Sequence, residues 1–138
     1  GAQQMKIPAY IRNLVIPLGA PLHKDGSSMS SIVKIAVIFA IFGKDFTDPI
    51  TILTAIAITI IVSVVEGGIP NGGYIGEILA ITSYGFPMEQ ALPAAMIIGT
   101  LVDPIATLLN ANGDLISAMM VTRIVEGKKW LLRENEIN

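Results

Sequence analysis

The chain has 138 residues, of which 52% are hydrophobic and only 14% charged, with a mean hydropathy of +0.66 and a formal net charge of −2. Soluble domains carry about a quarter charged residues, so this composition reads as a membrane chain, and the negative balance argues against nucleic acid as a partner. The absence of cysteine excludes disulfides and thiolate metal sites, and the single histidine, His23, cannot by itself build a zinc site.

Residues 1–10 lack the apolar run and small-residue cleavage site of a secretory leader. Because the chain opens on Gly1 rather than methionine, a fragment or processed piece of a longer protein is expected. Residues 1–9 read as a linker or as the end of a helix begun upstream. An apolar helix is predicted from about Tyr10 to Leu18, followed by a break across Gly19–Ser28, where Pro21 removes a backbone donor and Gly26 loosens the chain. Apolar character resumes from Ile32 to Phe42 and stops at Gly43, a C-cap residue type. Neither half reaches the about 20 residues a bilayer core requires; as one interrupted helix over residues 10–43 they do. Irregular backbone at membrane depth survives only where protein or a water-filled cavity surrounds it.

Asp48-Pro49 is a helix start, with aspartate as N-cap and proline at the first position. The apolar run Ile50–Val65 is about 24 Å long at about 1.5 Å per residue, short of the roughly 30 Å hydrocarbon core. It meets Glu66-Gly-Gly-Ile-Pro70-Asn-Gly-Gly73, where four glycines and a proline in eight residues oppose helix continuation. A second short helix, Tyr74–Tyr84, stops at Gly85. Two short apolar helices around a glycine-rich tip predict a re-entrant hairpin over residues 48–85; two ordinary helices joined by a glycine loop fit the same pattern. Pro87 opens a long helix through residues 87–127, with Pro93, Pro104 and Gly113 as candidate bends, capped by Gly127. Lys128, Lys129 and Arg133 follow in a polar tail (residues 128–138), and the bias of basic residues to the cytoplasm puts this end inside the cell.

Within the long helix Asp103, Thr107, Asn110 and Asp114 recur at i, i+4, i+7 and i+11, which places them on one face. A solvated stripe on a soluble amphipathic helix is the plain reading; the narrowness of the stripe in so apolar a chain favours a buried polar ridge, which requires partners. An ionisable residue at the bilayer centre costs about 2.5–3.5 kcal/mol on insertion scales. Lys24, Asp25, Glu66, Asp103 and Asp114 are therefore expected to converge on one another, on ions or on water. Broken helices and hairpin tips at mid-membrane commonly build solute and ion sites: half-helix N-termini attract anions and unwound carbonyls coordinate cations.

Three stretches carry a family resemblance. Pro17-Leu-Gly-Ala20 followed by His23-Lys24-Asp25-Gly26-Ser27 resembles the Pro-Leu-Gly-Ala…Asn-Met-Asp-Gly-Thr motif of the dicarboxylate/amino acid:cation symporters, the glutamate transporter homologues. Gly68-Ile69-Pro70-Asn71-Gly72-Gly73 is similar to their Gly-Val-Pro-Gly-Ala-Gly hairpin tip, and Asp103…Thr107…Asn110-Ala-Asn-Gly113-Asp114 to their Asp…Arg-Thr…Asn-Val-Thr-Gly-Asp helix. The resemblance covers nearly the whole chain. It implies an all-α membrane protein, namely the C-terminal half of a transport domain: the seventh helix, second hairpin and eighth helix of a carrier whose N-terminal half is absent. It further implies a multi-pass protein of the cell membrane, in contact with lipid and belonging to a homotrimeric family, with no cofactor beyond a coupling sodium ion or proton.

The resemblance also implies roles. Asp103 matches the aspartate that holds a solute's amino group, and Asn110 the asparagine that holds its carboxylate. Thr107 and Ser27 match side-chain contacts, while Gly68, Ile69 and Gly73 match the tip that closes as a lid. Asp114 and Asp25 match sodium-binding carboxylates, and the carbonyls of Gly19 and of residues near Glu66 match further sodium ligands. The departures are equally specific. The family's dicarboxylate-binding arginine falls at Ala106, so nothing obvious neutralises a second carboxylate, and a neutral amino acid or another small solute is expected instead of glutamate or aspartate. His23 and Lys24 replace an asparagine and a methionine that help form sodium sites; altered coupling, with a proton in place of sodium, and conventional coupling with Lys24 snorkelling outward stand side by side. Glu66 is a candidate partner for Lys24, and Glu77 has no assigned role. The alternative function is a non-transporting helical bundle whose motif only packs helices. No nucleophile–base pair and no phosphate loop suggests an enzyme.

Overall fold

The computed structural model describes residues 2–68 and 72–132. Among them the only regular elements are helical: α1 (Ala9–Leu22), α2 (Asp25–Ile41), α3 (Pro49–Gly68), α4 (Gly72–Ser83), α5 (Met88–Glu126) and a short 3₁₀ turn (Trp130–Leu132).

Local chemistry explains most of the helix ends. Asp48 caps α3: its Oδ2 accepts from the Thr51 amide at 2.9 Å and from the Thr51 hydroxyl at 3.2 Å. α2 ends in a Schellman motif. Gly43 has φ +62°, its N–H reaches the Ala40 carbonyl at 3.1 Å, and the Lys44 N–H reaches the Phe39 carbonyl at 2.9 Å. α4 ends the same way at Gly85, with Phe86 tucked into the core as the accompanying apolar contact.

Two boundaries differ from the sequence expectation. The break in the first helix is confined to His23 and Lys24, not spread over Gly19–Ser28. α1 accommodates both Pro17 and Pro21, each at the loss of one i→i−4 bond, and the His23 N–H still closes on the Gly19 carbonyl at 2.6 Å. α3 runs through Glu66, Gly67 and Gly68, so its 20 residues span about 30 Å. It continues because bare glycine lets it lie against α1: a Cβ on Gly67 would collide with the Pro21 carbonyl oxygen. α5 stays helical through Pro93, Pro104 and Gly113 for 39 residues, about 58 Å. By length and composition, α3 and α5 are each able to cross a membrane.

Two apolar clusters bracket the polar ridge of α5. The larger joins Ile35, Ile38 and Phe39 of α2 to Ala55, Ile58 and Val62 of α3, Ala80 and Ile81 of α4, and Phe86, Ala91 and Ala95. Phe39 sits at its centre, edge-on to Phe46, Tyr84 and Phe86 at centroid distances of 5.3, 4.9 and 5.0 Å. The smaller joins Ile7 and Ile11 to Ala118 and Trp130. The outer face of α5 carries Ile97, Leu101, Ile105, Leu108, Ile116, Met120 and Ile124, all exposed, an apolar strip interrupted by Asn112 and far beyond what a water-facing helix shows.

Candidate solute and ion site

The site is assembled where α1 gives way to α2. The N-terminus of α2 lies against the middle of α5 so closely that a Cβ on Gly26 would fall on the carbonyl oxygen of Ala106. The first amides of α2 have no partner of their own helix. Asn110 of α5 supplies one: its Oδ1 accepts from the Gly26 N–H at 2.9 Å and the Ser27 N–H at 3.3 Å, and its Nδ2 donates to the Ser27 hydroxyl at 3.1 Å. Ser27 and Asn110, 83 positions apart, thus form one hydrogen-bonded unit.

An open cleft of about 380 Å³ runs beside this junction. Lys24 and Ser27 line it from the break, Glu66 and Gly73 from the α3–α4 hairpin, and Asp103, Ala106, Thr107, Asn110 and Asp114 from α5. A wider cleft, about 560 Å³, shares Gly73, Asp103 and Thr107 and extends along Tyr74, Glu77 and Gly99. Nine of the residues singled out by sequence therefore face one space. Thr107 spends its hydroxyl on the Asp103 carbonyl at 2.9 Å. No ion pair joins Lys24 to Glu66 among the described residues, although both line the cleft. Gly68 is the last residue of α3, and Ile69, with Pro70 and Asn71 of the tip, lies outside the described residues.

The remaining three gather beneath the cleft. His23 Nδ1 stands 3.8 Å from Asp25 Oδ1 and 4.0 Å from Asp114 Oδ1. Glycines leave the room: a Cβ on Gly19 would stand 2.7 Å from Asp114 Oδ1, and one on Gly113 would strike the His23 imidazole. His23 Nδ1 and Asp114 Oδ1 are buried with no hydrogen-bond partner among the described residues. A buried carboxylate oxygen without a donor is the atom type a small cation or a proton satisfies. The imidazole nitrogen does not suit an alkali ion, and among the described residues no three acidic or histidine side chains are arranged to hold a metal.

Sequence reasoning missed the most deeply buried ion pair among the described residues. Lys34 of α2 is nearly buried and its Nζ bridges Glu77 Oε1 at 3.0 Å and Asp103 Oδ1 at 3.1 Å. The Ser30 hydroxyl donates to the same Asp103 oxygen at 2.8 Å. Gly99 floors the group: a Cβ there would stand 3.1–3.3 Å from Asp103 Oδ2, Glu77 Oε1 and Lys34 Cε. Lys34 and Glu77 are each a lone charge in an apolar run, and lone charges in greasy helices demand partners; that signal was present in the sequence, but it does not say which partner.

The chain matches the sodium:dicarboxylate symporter family over residues 1–124. It belongs to that family. Among its relatives, the human neutral amino acid transporter B(0) is 26% identical over 131 residues, covering 95% of this chain and 24% of the relative. The mouse excitatory amino acid transporter 4 is 27% identical over 128 residues, covering 92% of this chain and 22% of the relative. The chain therefore spans about a quarter of the length of the curated relatives it matches. No solved structure matches it. The all-helical fold and the two membrane-length helices are in keeping with that family membership.

Proposed function

We propose that this chain is the solute- and ion-binding C-terminal half of the transport domain of a secondary active symporter, working with an N-terminal half that supplies the scaffold. The observation that carries the reading is the single cleft that collects the helix break, the hairpin and the polar ridge. Its solute is a small molecule with one carboxylate, a neutral amino acid being favoured. Ala106 stands where the family's dicarboxylate-binding arginine is expected, and neither Arg12 nor Arg123 lines the cleft. The names of the neutral amino acid relatives support the same class. In this reading Asp103 faces the solute's ammonium, Asn110 with Ser27 its carboxylate, and Thr107 its side, while the hairpin closes as a lid with Gly68, Ile69 and Gly73 near the tip. Sodium or a proton couples the movement through Asp114 and Asp25, with Gly19, His23, Lys24 and Glu66 around them. The hairpin is re-entrant, the protein is multi-pass in the cell membrane with a cytoplasmic C-terminus, and trimer contacts lie in the absent half.

The test uses the full-length product of the gene in proteoliposomes. Alanine or serine uptake driven by an inward sodium or proton gradient is expected, and Asp103→Asn is expected to weaken binding at least tenfold. A non-transporting bundle is the second reading, favoured by the internal engagement of Asp103 and Asn110; unaltered behaviour of Asp103→Asn together with no gradient-driven uptake would establish it.

A further inference from the structure

We infer that Lys34 is a resident counter-cation of Asp103 that competes with a solute's α-ammonium, so that the cleft accepts a 2-hydroxy acid nearly as well as the matching amino acid. This rests on the solute reading above and names a determinant of its selectivity. An aspartate that waits for an incoming ammonium should be bare. Here Asp103 already has an ammonium at 3.1 Å and a hydroxyl at 2.8 Å on Oδ1, and the same ammonium reaches Oδ2 at 3.5 Å, so Oδ2 is the less engaged oxygen left for a solute. Its side chain is 53% exposed and faces the cleft, whereas the Lys34 side chain is 7% exposed. The lysine approaches from the protein side and leaves the open side to the solute.

Lys34 cannot easily withdraw. Glu77 holds it at 3.0 Å, Gly99 lies against its Cε, and the cluster is enclosed by α2, α4 and α5. A solute ammonium that reaches Oδ2 therefore arrives beside a second fixed ammonium and is repelled by it. A hydroxyl at the same place accepts or donates a hydrogen bond with no such repulsion. At an effective dielectric near 20, two ammonium groups a few ångströms apart disfavour binding by about ten- to a hundredfold, after allowance for the two carboxylates that share them.

The experiment measures binding to the purified full-length protein in nanodiscs by calorimetry, with matched pairs: L-alanine against L-lactate, and L-serine against L-glycerate. In the wild type, dissociation constants within about tenfold of each other are expected for each pair. Lys34→Met/Glu77→Gln removes the internal pair together and leaves Asp103 with the Ser30 hydroxyl but no resident cation. It is expected to tighten amino acid binding at least tenfold and to leave the hydroxy acid within threefold. Wild-type preference for the amino acid above a hundredfold, or a double variant that does not tighten it, overturns the role of Lys34 while leaving the solute reading intact. Silence of every pair member in the wild type overturns both. Adding Asp103→Asn to the double variant is expected to abolish its gain in amino acid binding, and a gain that persists without this carboxylate overturns the role of Lys34.

Discussion

Lys34→Met probes the most deeply buried ion pair among the described residues. The substitution keeps most of the side-chain volume and removes the ammonium from between two carboxylates. Glu77 is 9% exposed and pairs with Lys34 at 3.0 Å, so it would be left buried and uncompensated, whereas Asp103, 53% exposed, is resolvated by the cleft. Removing one partner of a buried pair costs about 3–5 kcal/mol. Replacing both, as in Lys34→Met/Glu77→Gln, exchanges the pair for a methionine beside an amide and is expected to change stability by no more than about 1 kcal/mol. Glu77→Gln alone strands a cation that still has Asp103, so its loss is smaller, about 1–3 kcal/mol. The double-mutant cycle then shows a coupling of at least about 3 kcal/mol. Thermal or denaturant unfolding of the full-length protein in micelles, with ligand absent, reads all four corners. Losses that simply add, or a Lys34→Met variant as stable as the wild type, would show that this ion pair is solvated and would refute the reasoning.

Gly26→Ala places a methyl group on the backbone carbonyl of Ala106, where no side chain can swing aside, so α2 and α5 must part; a loss of about 1–3 kcal/mol is expected in the same unfolding assay. Gly73→Ala, with open space at its Cβ position, serves as the tolerated control. In the loop before α3 the Asp45 carboxylate accepts from the Thr47 hydroxyl at 2.7 Å and the Thr47 amide at 2.8 Å, and these bonds, the hydroxyl first, hold its carboxyl below the usual value of 3.8. A depressed folded value means that the contribution is present above pH 3.8 and is lost as the pH falls through the folded value. The Thr47 amide resonance, followed by NMR, is expected to move only below pH 3.8, and a midpoint at or above it would refute the bond.

Local signals within the sequence determined the helices and their ends. Asp48-Pro49, Gly43 and Gly85 act through bonds that close within a few residues, and the spacing of Asp103, Thr107, Asn110 and Asp114 needs only the helical period to become a ridge. The width of the break, the cap that Asn110 gives α2 across 84 positions, and the partner of Lys34 across 69 were decided by tertiary structure. The reason is physical: a charge or an orphan amide in an apolar helix states a need, but which group answers depends on how closely two helices pack, and that distance is set by glycines such as Gly26 and Gly99 only after both helices are in place.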